Sequence, residues 1–123
     1  MRRALLAIIF AIFASTTLSS VASAQGQQDF ALVNRTGYQI NEIYVSSAND
    51  RNWGRDLLGD NTLAEGRQFN VRFRPSTRAC NWDIKVVYDD GENSEFRGVN
   101  LCQVSRVTLY WNRRAGTTRF VTE

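Results

Sequence analysis

Most of the residues in this chain that could do chemistry are carboxylates. Asp50, Asp56 and Asp60 fall within residues 46–61, and Asp89, Asp90 and Glu92 lie close together further on. Two facing carboxylates can hydrolyse a glycosidic bond as general acid and base. Carboxylate and amide oxygens can also gather around calcium, which takes about six to eight of them. Aspartate, however, favours turns because it hydrogen-bonds the backbone nearby, and the acids of 46–61 do not follow the EF-hand spacing. Asp50, Asp56 and Asp60 are therefore weak metal candidates, and no catalytic pair is assigned.

The other reactive types narrow the choice further. The chain has no histidine, which removes the usual general base and the commonest zinc ligand. Its one lysine, Lys85, is expected on the solvent face of a strand. Cys80 and Cys102 are too far apart for a C-x-x-C redox pair and are predicted to form a disulfide. Closing that loop should stabilise the fold by about 3 kcal/mol. Tyr44, Trp53 and Trp111 could offer a platform to a sugar ring or a partner protein.

These residues predict a non-enzymatic binding module without a cofactor. Its recognition surface is placed on the 46–61 loop, at Trp53, Arg55, Asp56, Leu57 and Leu58, with a partner protein or a glycan as ligand. The alternatives are a calcium- or carbohydrate-binding module and, behind them, a carboxylate-dependent hydrolase at the same loop.

The N-terminus assigns a compartment. Arg2 and Arg3 precede an apolar run over 4–14, and small residues follow up to Ala22 and Ala24, the pattern of a secretory signal peptide over residues 1–24. The run is shorter than the roughly 20 residues a membrane span needs, so no stable membrane anchor is expected after cleavage. Residues 25–123 are read as one domain, periplasmic or secreted. Without Arg2 and Arg3 the 15 Lys and Arg become 13 against 12 Asp and Glu, and the net charge falls from +3 to +1. With acids and arginines interspersed, nucleic acid is not an expected partner.

The mature chain shows the period-two alternation of half-buried strands. Residues 25–28 are read as a frayed leader. Phe30 and Leu32 open a first strand that stops at Asn34, Arg35, Thr36 and Gly37. A second places Tyr38 and Ile40, then Ile43 and Val45, toward the core, and the change of parity at Asn41 and Glu42 predicts a β-bulge. The pattern lapses over 46–61, where Trp53, Leu57 and Leu58 imply that the loop folds back to plug one end of the domain. Phe69, Val71 and Phe73 mark the next strand, ended by Pro75.

The clearest strand turns Cys80, Trp82, Ile84, Val86 and Tyr88 inward and Asn81, Asp83, Lys85 and Asp89 outward, and leads into a hairpin turn at Gly91. One register sets Val86 opposite Phe96 and Cys80 opposite Cys102. Another sets Cys80 opposite Leu101, with a bulge possible at Gly98. Val107, Leu109 and Trp111 form a further strand, and a turn at Gly116 leads to a last one through Phe120. The expected fold is all-β: a small antiparallel β-sandwich of seven or eight strands with one disulfide, a small closed barrel being the runner-up.

Trp53-Gly54, Asp56-Leu57-Leu58-Gly59, Cys80-Asn81-Trp82-Asp83, Tyr88-Asp89-Asp90-Gly91 and Leu101-Cys102 together form a pattern. In it the chain resembles a group of small exported bacterial proteins of uncharacterised function, over most of the mature domain. The resemblance implies no catalytic or binding residues. Proteins of this kind are sometimes named argininosuccinate lyases, but those enzymes are large helical tetramers, and a small β domain without histidine does not suit that chemistry.

Overall fold

The computed structural model describes residues 26–123; the signal-peptide assignment lies outside them. Seven strands follow in order: β1 Phe30–Arg35, β2 Ile40–Ser47, β3 Gln68–Val71, β4 Asn81–Tyr88, β5 Asn93–Asn100, β6 Arg106–Asn112 and β7 Thr117–Thr122. They form two sheets, β3-β1-β6-β7 and β2-β4-β5. Leu32, Val107 and Leu109 from the first meet Ile40, Ile43, Ile84 and Val86 from the second in one buried cluster. The expected sandwich is present with one departure, since β1 and β6 run parallel. Period-two alternation tells which face of a strand is buried and is silent on its neighbour's direction.

The parity change in β2 is a register shift between Ile40 and Glu42, which keeps both Ile40 and Ile43 fully buried. Tyr38 departs from expectation: it precedes the strand and is exposed. The third strand also ends earlier than expected, at Val71, and Phe73 lies beyond it, edge-on to half-buried Trp82 with ring centroids 4.8 Å apart. Residues 26–28 are not frayed. Gln28 is fully buried and donates from Nε2 to the carbonyls of Thr77 and Ala79, each at 2.9 Å. Polar burial of this kind depends on distant carbonyls, so local pattern does not show it.

The 46–61 loop packs along a side of the sandwich, not over an end. Leu57 N–H donates to the Ile43 carbonyl at 2.8 Å, and Ile40 and Leu63 exchange both backbone bonds. These contacts occupy the outer edge of β2, which would otherwise present unpaired backbone groups. Leu58 and Leu63 enter the core.

In the β4–β5 hairpin Ile84 pairs with Phe96 and Val86 with Ser94, so the register that set Val86 against Phe96 is not the one adopted. A shift between Trp82 and Ile84 then leaves Arg97 and Gly98 together opposite Asp83. Gly98 takes a φ of +65°, in the left-handed region where glycine carries no steric cost. Beyond this bulge Leu101 N–H donates to the Cys80 carbonyl. Cys80 and Cys102 form the disulfide, with Cα atoms 5.1 Å apart. The staple joins neighbouring strands at the end of the ribbon, Cys80 lying just before β4 instead of within it.

Candidate binding cleft

Because Ile84, Val86 and Tyr88 point into the core, Asp83, Lys85 and Val87 lie on the outer face of the sheet. Pairing sets Tyr44 beside Lys85 and Glu95, and Ser46 beside Asp83. The start of the loop folds over this row. Ser46 Oγ donates to the Asn52 carbonyl at 2.8 Å, Asp50 N–H to the Ser47 carbonyl at 2.8 Å, and Asn52 N–H to Asp50 Oδ1 at 3.1 Å. A tight turn is thereby locked over the sheet, and a cleft of about 280 Å³ remains between them, lined by Ser46, Asp50, Arg51, Asn52, Trp53, Asp83 and Arg97.

Asp83, expected in solvent, is 4% exposed. Its Oδ1 accepts the Gly98 N–H at 2.8 Å and its Oδ2 accepts Arg97 Nη1 at 3.1 Å. Arg97 Nη2 donates to Glu95 at 2.7 Å. The bonds to Glu95 and then Asp83 raise the Arg97 pKa above its usual value. The guanidinium carbon also stands 5.0 Å from the centre of the Trp53 ring. Lys85 Nζ lies 5.5 Å from the Tyr44 ring centre and 5.9 Å from that of Trp53. Tyr44 donates its hydroxyl proton to Glu42 at 2.7 Å, and this bond to a carboxylate is the main reason its pKa is pushed up to about 12.

Of the residues expected to recognise a ligand, Trp53 alone lines the cleft. Arg55 is exposed, Leu57 packs against the core and Leu58 is within it. Asp56 is an internal fastener: its Oδ1 accepts the N–H groups of Ile43 and Leu58, each at 2.9 Å. Asp50 reaches the cleft, while Asp60 is exposed outside it. Among the described residues no three His, Cys, Asp or Glu side chains gather in a way that could hold a metal ion. The aromatic platform is divided, with Tyr44 and Trp53 near Lys85 and Trp111 against Tyr38 and Tyr88.

Among the five residues lining the cleft that sequence did not single out, Ser46, Arg51, Asn52, Asp83 and Arg97, the last two form the ion pair at its base. Their signal was a glycine, Gly98, inside an otherwise regular strand opposite an aspartate. Chemically the cleft combines one indole with acceptors and donors of both charges, an arrangement suited to polar ligands. Both Asp83 oxygens are already bonded, which leaves that carboxylate as a fixed support.

No family model and no curated protein matches the chain. Its fold is similar to the NMR structure of a protein from Eubacterium rectale, with a TM-score of 0.54 over 81% of this chain and 89% of that one, at 16% identity. Likeness at that identity defines a shared small all-β fold and nothing about activity. A disulfide is characteristic of oxidising compartments, and no helix among the described residues is long and apolar enough to cross a membrane.

Proposed function

We propose that the protein works outside the cytoplasm, in the periplasm or beyond the cell, as a non-enzymatic binding module. Its ligand seats in the cleft between the 46–61 loop and the outer face of β4 and β5. The observation that carries this is the turn-locked loop that lays Trp53 on Arg97 above a buried Asp83. Recognition needs rigid polar groups beside an aromatic ring, and this arrangement supplies them.

The mixture of amide, hydroxyl, carboxylate and guanidinium groups at this size favours a glycan over a metal ion. A melting series with a glycan panel and with calcium tests this. A glycan present at 100 times its Kd should contribute about 2.7 kcal/mol, which corresponds to a rise of roughly 10–20 °C in a domain of this size. Trp53→Ala should abolish the rise. A rise with calcium alone, or one that Trp53→Ala leaves intact, refutes the proposal.

A further inference from the structure

Three aromatic rings meet at the other end of β4, away from the cleft. Tyr88 is the last residue of β4, Trp111 is near the end of β6, and Tyr38 sits in the turn between β1 and β2. The centroid of Tyr38 is 5.7 Å from that of Trp111 and 6.4 Å from that of Tyr88, and Tyr88 and Trp111 are 6.1 Å apart. Their planes cross at 82°, 74° and 81° respectively, edge to face, and Tyr88, 4% exposed, forms the floor of a box that Tyr38 and Trp111 wall. They line a pocket of about 110 Å³ whose remaining wall is Asp89, Asp90 and Glu92 of the hairpin turn.

The turn that carries Tyr38 and the hydroxyl of Tyr88 are both fastened. Tyr38 is 48% exposed, yet its carbonyl accepts Asn34 Nδ2 at 2.7 Å and its N–H donates to Thr36 Oγ1 at 3.2 Å, with Asn34 itself fully buried. The Tyr88 hydroxyl is bonded to Thr118, which bonds Ser94 in turn at 2.7 Å. Among the described residues none of the three acids is in an ion pair. Only Asp90 has an assigned partner, the Glu92 N–H across the turn.

Aromatic faces together with uncompensated negative charge attract a cation. A primary ammonium brings three N–H donors that need acceptors, which this pocket offers on its acidic side and not across its ring faces. A quaternary ammonium has no N–H to satisfy and spreads its charge over methyl groups that can lie against the rings. The volume is well below the roughly 300 Å³ at which pockets for drug-sized ligands begin, which suits a head group. We propose that the Tyr38, Tyr88 and Trp111 box, with its acidic rim, binds the trimethylammonium group of a choline-type compound. This site is separate from the cleft and does not rest on the function proposed for it.

Titration of the purified protein with choline, followed by calorimetry and tryptophan fluorescence, tests the assignment. Choline should bind saturably, and ethanolamine, its primary-ammonium counterpart, about tenfold more weakly or worse. Tyr38→Ala, shown to be folded by its melting curve, should weaken choline binding by about 5- to 30-fold, while Tyr38→Phe, which keeps the ring, should bind as the parent does. The double variant Asp89→Asn, Glu92→Gln should bind more weakly and with less dependence on salt. Sedimentation with phosphatidylcholine vesicles, reversed by choline, would identify a lipid head group as the source. Choline binding without vesicle binding would identify a free solute. The proposal is overturned if choline gives no saturable signal, if ethanolamine matches it, or if Tyr38→Ala binds like the parent.

Discussion

Replacing Asp83 with alanine removes the acceptor at the centre of the β4–β5 bulge. Two bonds are lost, and they are unequal. The partner in one, Arg97, has a side chain that is 60% exposed, so water screens that ion pair and it contributes little. The other is the Gly98 N–H at 2.8 Å, held by a carboxylate that is itself buried. A hydrogen bond to a charged group contributes about 1.5–3 kcal/mol. Adding the small loss of packing, we expect Asp83→Ala to destabilise the fold by about 2–3 kcal/mol, which lowers Tm by roughly 10–20 °C in a domain of this size. Asp83→Asn keeps an acceptor oxygen for Gly98 without the charge. It should cost about half as much, because charge-assisted bonds are roughly twice as strong as neutral ones. Calorimetric melts of the three proteins with the disulfide intact provide the comparison, and hydrogen exchange at the Gly98 amide should accelerate in the alanine variant. An Asp83→Ala protein that melts within about 3 °C of the parent would refute the reasoning. So would equal losses in both variants, since the charge and not the amide bond would then be the source.

Two further outcomes follow from the same contacts. Glu42 holds the Tyr44 pKa at about 12 against an ordinary 10.0, so the folded state favours the protonated phenol more than the unfolded chain does. The stability this contact contributes is complete below pH 10 and is lost as pH rises toward 12. A difference-absorbance titration should show a late-ionising phenol that Glu42→Gln shifts to lower pH, and an unmoved midpoint would contradict the assignment. Leu58 is 5% exposed although it lies in an irregular stretch; Leu58→Ala should cost about 2–4 kcal/mol in urea unfolding, whereas Asp60→Ala at an exposed site should stay within about 0.5 kcal/mol of the parent. A neutral Leu58→Ala would show that the loop is not part of the core.

What could be read from the sequence was whatever a local pattern encodes. The slip of parity at Asn41 and Glu42 marked the bulge in β2, because a strand cannot bury both Ile40 and Ile43 without an extra residue between them. Leu57 and Leu58 marked a loop with an apolar side, and Cys80 and Cys102 marked the staple. The pattern did not contain what depends on partners far along the chain. The parallel pairing of β1 with β6, the burial of Gln28 beneath the carbonyls of Thr77 and Ala79, and the position of Tyr38 outside the core all belong to that class.

The candidate sites were harder to read for a related reason: an aspartate's role is decided by what its oxygens face. Asp29, Asp50, Asp56, Asp83 and Asp90 each accept a backbone N–H, from Phe73, Asn52, Ile43, Gly98 and Glu92 in turn. In the sequence all five look equally available for acid–base or metal chemistry. In the fold they fasten turns, an edge and a bulge, the uses that backbone amides lacking a strand partner make of short carboxylates. Asp89 and Glu92 have no such bond assigned, and they stand beside the aromatic box. Asp60 is also without a bond but lies exposed outside that pocket, so what marks Asp89 and Glu92 is an unbonded carboxylate beside aromatic rings, and this separates them from the fasteners more clearly than spacing along the chain.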